Sequence, residues 1–205
     1  MKKTVQCRML ALTIAFALAG APTLALVGCG GGAATVDEAA VAKNDLTAQL
    51  ESIKNLDAGA VSEMAASGDF SDLEQYGVSA EDFLKAFLAN FDYSVGNVTV
   101  DGDTGTAEIS LSMTDVGTTM VAWQEKVTEF VATDEAVKLM TEEGESALYQ
   151  KLFQMLMDDL ASPEATIKTG TYTFDISKST GKWDVTDAQA VTDAMLDVAN
   201  MQDLV

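Results

Sequence analysis

Apolar and polar positions change their period several times along this chain, and each change predicts an element. From Val36 to about Leu56, Leu46, Leu50 and Ile53 recur at helical spacing with polar residues between them, which predicts a first helix. Val61, Met64 and Ala65 predict a shorter second one, and Phe70, Leu73 and Tyr76 then recur at every third position up to Gly77. Ser79 followed by Asp82 approximates a capping box ahead of the wide apolar face Phe83, Leu84, Phe87, Leu88 and Phe91.

The period then falls to two. Tyr93, Val95, Val98 and Val100 lead into Asp101-Gly102-Asp103-Thr104-Gly105, and beyond it Ala107, Ile109, Leu111 and Met113 alternate with Glu108, Ser110, Ser112 and Thr114. This predicts a β-hairpin with one solvated face, and Gly96-Asn97 breaks its parity as a bulge would. Thr118 or Thr119 is the expected cap of a helical block reaching Leu160, with Trp123, Val127, Phe130 and Val131 on one face and a break at Thr133-Asp134. Val137 and Met140 continue it, and Leu148, Leu152, Met155 and Leu156 form the next apolar face. Strand alternation returns at Tyr172, Phe174 and Ile176, followed by a Ser179-Thr180-Gly181 turn, Trp183 and Val185. Asp187 then caps a last helix bearing Val191, Met195 and Val198. Helices, hairpin, helical block and hairpin add up to an α+β fold: an antiparallel sheet packed on helices, with a helical insertion over about 118–160 between two hairpins.

The N-terminus has a different pattern. Lys2, Lys3 and Arg8 precede an uncharged run from Met9 to Gly20, the arrangement of an export signal. A membrane helix would need the longer stretch from Met9 to Val27, which Pro22 interrupts, and this argues against an uncleaved membrane helix. Leu26-Val27-Gly28-Cys29 resembles the lipobox of bacterial lipoprotein precursors: an aliphatic residue, a tolerant position, a small residue, then cysteine. The resemblance implies a diacylglyceryl thioether on Cys29, cleavage before it, and a second acylation such as palmitate on the new amino terminus. Two or more acyl chains anchor a protein stably, whereas one alone is marginal. The chain thus divides into a signal peptide (1–28), a lipidated Cys29 with a glycine-rich tether (29–40) and a single α+β domain (41–205). The expected location is the extracytoplasmic side of the cell envelope.

Charge sharpens this division. The full chain has 12 basic and 32 acidic side chains, but residues 1–28 hold three of the bases, all of the arginine and no acid. The remainder carries nine lysines against 32 acids, a formal balance of −23. Such a domain repels nucleic acid and anionic lipid and has no arginine fork for phosphate. A tether from Cys29 to Ala40 averages roughly 18 Å, beyond the Debye length of about 8 Å, and so holds an acidic domain clear of an acidic surface. The two cysteines are Cys7 and Cys29, so the exported domain has no disulfide. With no histidine in the chain, Ser-His-Asp and Cys-His nucleophiles and His-ligated metals are excluded.

Among polar clusters, Asp101, Asp103 and Glu108 offer oxygens for calcium but lack the remaining ligands of an EF-hand loop, so a plain hairpin turn is the better reading. Glu142, Glu143, Glu145, Asp158 and Asp159 read as solvated helix faces. No cofactor and no metal is expected. Phe83 to Phe91 ahead of a strand, the Val98 to Ala107 hairpin and the closing Gly181-Lys182-Trp183-Asp184-Val185 resemble small bacterial lipoproteins with domains of the nuclear-transport-factor-2-like, or cystatin-like, superfamily. That resemblance implies a curved sheet closing over helices around an apolar pocket, with Phe83, Phe87, Tyr93, Phe174 and Trp183 as candidate lining, although plain core explains the same residues. The expected role is non-catalytic binding of a small apolar ligand or of an envelope protein. A structural or accessory envelope role is the alternative, and a histidine-free isomerase the least favoured.

Overall fold

The computed structural model describes residues 37–67, 70, 73 and 76–201. Leu26, Val27, Gly28 and Cys29, and with them the expected signal peptide, lie outside the described residues. Helix α1 (Glu38–Lys54) is capped by Asp37, whose carboxylate accepts the Ala40 N–H, and it buries Ala42, Leu46, Leu50 and Ile53 as the helical spacing requires. Helix α2 (Ala58–Ser67) follows. Around Phe70, Leu73 and Tyr76 the Leu73 N–H donates to the Phe70 carbonyl and the Tyr76 N–H to the Leu73 carbonyl, the i to i+3 bonding that a period of three demands. Helix α3 (Ala80–Leu88) is capped by Ser79, which accepts from the Asp82 N–H and donates its hydroxyl to the Asp82 carboxylate.

Strands β1 (Asp92–Asp101) and β2 (Thr104–Thr114) form the first hairpin, and the register slips between Val95 and Val98, at the Gly96-Asn97 step. Lys43 on α1 donates to the Gly96 carbonyl that the bulge turns out of the ladder. Strand β3 (Ile167–Ser179) pairs antiparallel with the whole of β2, and the short β4 (Lys182–Val185) pairs with its last turn-proximal residues. The sheet is thus a four-stranded antiparallel meander in the order β1-β2-β3-β4, and the fold is α+β. Its inner face presents Ala107, Ile109, Leu111, Met113, Phe174, Ile176 and Trp183, all buried. Helix α1 crosses it from β1 to β4, and α7 (Ala188–Val198), capped by Asp187, covers β2 and β3. The outer face is a field of hydroxyls that bond across strands, Thr99 to Thr106, Ser110 to Thr171 and Ser112 to Thr169.

The helical insertion runs over α4 (Val116–Val131), α5 (Asp134–Lys138), a π-helical segment (Leu139–Glu143) and α6 (Glu145–Leu160). Its start differs from expectation: the cap is Asp115, not Thr118 or Thr119. The Asp115 carboxylate accepts the Thr118 N–H and hydroxyl, while the Thr119 hydroxyl is turned back onto the Asp115 carbonyl. Asp115 has the extended backbone of a cap (φ −69°, ψ 95°), whereas Thr118 and Thr119 already lie inside the helix, so its carboxylate is the one placed to accept a free N–H of the first turn. Thr133 does cap α5, at the predicted break. The π turn leaves no periodicity signature, and it ends at Gly144 with φ of 94°.

The second hairpin turns through Thr180 (φ 52°) and Gly181 (φ 85°), both left-handed, which is the type I′ geometry suited to strand twist. A β-branched residue in that region costs about 1 kcal/mol that asparagine avoids. Thr180→Asn is therefore expected to raise the stability of the full chain by about 0.5–1 kcal/mol in a urea titration. An unchanged or lower midpoint would contradict the turn geometry.

Candidate functional site

The inner face of the sheet is where a pocket was expected. It leaves a cavity of about 30 Å³ lined by Leu46, Leu50, Ile109, Leu111, Phe174 and Val191, with Gln49 and Val185 completing the wall. That is room for a water or two, between walls that offer a water almost no polar partner. Of the five aromatic residues named from the sequence, only Phe174 reaches it. Phe83 and Phe87 stack on each other at 6.1 Å on α3, and Phe83 meets Phe70 at 6.1 Å. Tyr93 stacks on Phe91 at 6.2 Å. Trp183 is wholly buried beneath α1. The five do not converge: Phe83 and Phe87 sit where α3 meets the Phe70 turn, Phe174 on β3 at the cavity, Tyr93 where α1 meets β1, and Trp183 where α1 meets β4.

Each of the latter two junctions carries a polar seam. At β4, the Trp183 N–H donates to Asp45 at 3.0 Å and its indole N–H to Glu38 at 3.4 Å, while Gln49 donates to the Trp183 carbonyl at 2.9 Å and to the Asp184 carboxylate at 2.6 Å. Lys178 pairs with Glu38 at 2.7 Å and lies over the Trp183 ring, 6.0 Å from its centroid. The Lys178 ammonium, bonded to Glu38, holds that carboxyl below its usual range. At β1, the Tyr93 hydroxyl donates to the Thr47 carbonyl at 3.0 Å and to Glu51 at 2.7 Å, beside a Lys54–Asp92 pair at 2.8 Å.

A matching arrangement joins α7 to β3, where the Tyr172 hydroxyl donates to Asp197 at 2.6 Å. These tyrosine–carboxylate pairs were not assigned from the sequence, since 42 and 25 positions separate the partners. Only the signal of a tyrosine at an inner-face strand position facing a helix could have found them. Desolvation, and then the bond to its carboxylate, pushes each phenol up to about 12. Both are hydrogen-bond donors at neutral pH, and both lie outside the cavity, so they fasten helices to the sheet.

The acidic candidates fall as follows. Gly102 and Asp103 form the two-residue loop of the first hairpin, with Asp101 opposite Thr104, and the Asp103 carbonyl accepts the Lys178 N–H. Among the described residues, no three histidine, cysteine or carboxylate groups converge as a metal site. Glu142, Glu143, Glu145 and Asp158 are exposed. Asp159 departs from the solvated reading: it is partly buried, one oxygen is bonded to Lys126 on α4, and the other has no partner. Two wider recesses open to solvent; one, about 540 Å³, runs over the Asp101–Thr104 end of the sheet and touches the inward-facing Val100 and Ile176 as well as Thr99 and Thr106. The larger, about 590 Å³, separates α3 from α6 and is lined by Ser79, Asp82, Lys85, Gln150, Gln154 and Asp158 among others.

Both phenols are desolvated and bonded to a carboxylate on folding, so their folded pKa of about 12 exceeds the ordinary 10. The stability this confers is complete below pH 10 and is lost as pH rises toward 12. In a spectrophotometric phenolate titration of the folded chain, two of the four tyrosines should ionise near pH 12, and Tyr93→Phe with Tyr172→Phe should remove that phase. Absence of any phenolate phase near pH 12 would refute the bonded geometry.

No protein-family model matches the chain, and no curated protein matches it. Among solved structures it is similar to the crystal structure of "a putative lipoprotein (ycdA)" from Bacillus subtilis subsp. subtilis str. 168, with a TM-score of 0.40 and 16% sequence identity. The match covers 74% of this chain and 45% of that one, so this chain spans less than half the length of that protein.

Proposed function

We propose that the chain is a lipoprotein anchored through Cys29 on the extracytoplasmic side of a bacterial cell envelope, and that its domain has a non-catalytic interaction role exercised at its outer surface. The anchor is supported by the coincidence of a basic start, an uncharged run and Leu26-Val27-Gly28-Cys29. Among the described residues, no helix is long and apolar enough to cross a membrane.

The observation that carries the surface role is how little space the packed concavity leaves. A cavity of about 30 Å³ cannot admit a drug-sized ligand, which needs some 300 Å³ or more. This moves binding from an interior ligand to a protein partner. The tyrosine–carboxylate pairs that a histidine-free isomerase would need stand away from the cavity and are engaged in joining helix to sheet. The meander with α1 laid across its inner face supports a cystatin-like domain.

Processing tests the anchor. Globomycin treatment of producing cells should leave an uncleaved diacylglyceryl precursor, and Cys29→Ala should yield a chain that incorporates no labelled palmitate and leaves the membrane fraction. If neither treatment changes the size or membrane retention of the product, the lipoprotein reading fails.

A further inference from the structure

The helical insertion is where the fold stops serving its own core. Its base is anchored: Val116 and Thr119 at the start of α4 and Leu156 and Leu160 at the end of α6 are buried. Residues 120–155 between them contain one buried residue, Ala136. Trp123 joins the two long helices by donating its indole N–H to the Leu152 carbonyl at 3.0 Å, and Lys126 bonds to Asp159. Along this seam Val127, Phe130, Leu148, Leu152 and Met155 stay only half-buried, because two helices alone cannot enclose their own contact line. A structural insertion of this length would bury more; an arm that presents a surface would not.

The apex of the arm, residues 129–145, is the most open part. Val131 closes α4 at 46% exposure, and Val137 (56%) and Met140 (48%) stand one helical turn apart on the α5 and π segments. About half of each of these side chains is open to solvent. Around them the same seventeen positions hold six carboxylates (Glu129, Asp134, Glu135, Glu142, Glu143 and Glu145) and one cation, Lys138. The π-helical segment, a geometry frequent at functional sites, presents Met140 and the Glu142-Glu143 pair together.

We propose that this apex docks a basic segment of a partner protein, one that places apolar side chains on Val131, Val137 and Met140 and lysines or arginines against the acidic rim. The inference deepens the surface role proposed above and rests on it. Charge selects the occupant. A second copy would bring two apices of formal charge −5 together, and an anionic lipid surface would be repelled in the same way. A cationic amphipathic helix satisfies both the exposed methyl groups and the rim.

The test uses the full chain in detergent and a fluorescent amphipathic peptide of about 18 residues, with leucine on one face and lysine on the other, long enough to form a helix on binding. A twin with glutamate in place of lysine is the control. The lysine peptide should bind and the twin should not. Val137→Asp, which adds negative charge but removes the apolar contact, should weaken binding about tenfold or more, and Met140→Gln should act in the same direction. Glu142→Gln with Glu143→Gln should weaken binding and flatten its salt dependence, whereas Asp101→Asn with Asp103→Asn at the far hairpin should leave it unchanged.

Equal loss in the hairpin variant, no effect of Val137→Asp and Met140→Gln, or binding of the twin would overturn the proposal in favour of diffuse attraction. Absence of binding would also overturn it, as would a fall in particle mass by light scattering on Val137→Asp, which would place a second copy at the apex. None of these readouts depends on processing at Cys29, so failure of the anchor reading is seen separately.

Discussion

The burial of Trp183 beneath α1 is the constraint on which the rest of the domain depends. β4 is four residues long, too short to hold its place through ladder bonds alone, yet it carries a wholly buried indole. Its position is set by α1, which reaches it with Glu38, Asp45 and Gln49 across 134 to 145 positions of sequence. That contact joins the first described helix to the last hairpin and leaves the inner face of β1 to β4 covered from one end to the other. The filled concavity follows from it: with α1 held on β4 and α7 on β2 and β3, Leu46, Leu50 and Val191 descend onto Ile109, Leu111 and Phe174.

The polar groups at these seams follow one rule. A single sheet has only one apolar face, and the helices that cover it must desolvate their own flanks. The structure meets that cost by putting a bonded pair at each margin: Lys178 with Glu38 at β4, Tyr93 with Glu51 and Lys54 with Asp92 at β1, Tyr172 with Asp197 at β3. Asp115 extends the rule to the base of the arm. Desolvation pushes its carboxyl up, but bonds from the Thr118 N–H and hydroxyl and from Asn200 outweigh this and hold it below the usual range. That one side chain caps α4 and ties it to the segment after α7. The acidic composition is therefore of two kinds, carboxylates that fasten the margins and carboxylates that are left to solvent, and the apex of the arm is rich in the second.

Much of the fold was readable in advance because it depends on local periodicity. The two-residue alternation from Ala107 to Met113 places the inner face of β2, the Gly96-Asn97 break marks the bulge, and Asp187 caps the last helix as its position implies. The Asp115 cap was missed because two threonines at the third and fourth helical positions imitate a cap, and the end of β2 is set by pairing with β3, which no local pattern reveals. The π segment was missed for a similar reason, since its period differs too little from that of the flanking helices. The aromatic set shows the limit most clearly. Phe83, Phe87, Tyr93, Phe174 and Trp183 each lie on an apolar face as read, but an apolar face does not say which other face it meets.

By itself, the sequence determined the order of elements, the inward and outward sides of each strand and most helix faces, and the separation of a basic, arginine-bearing start from an acidic remainder. Those follow from side-chain period and from composition, both local quantities. Only the tertiary structure decided that the sheet's concavity is nearly filled, that the aromatic residues part among separate junctions, and that the insertion stands as an arm with a half-exposed apolar apex. The reason is physical: whether an apolar side chain is buried depends on the element placed opposite it, and that element comes from distant sequence.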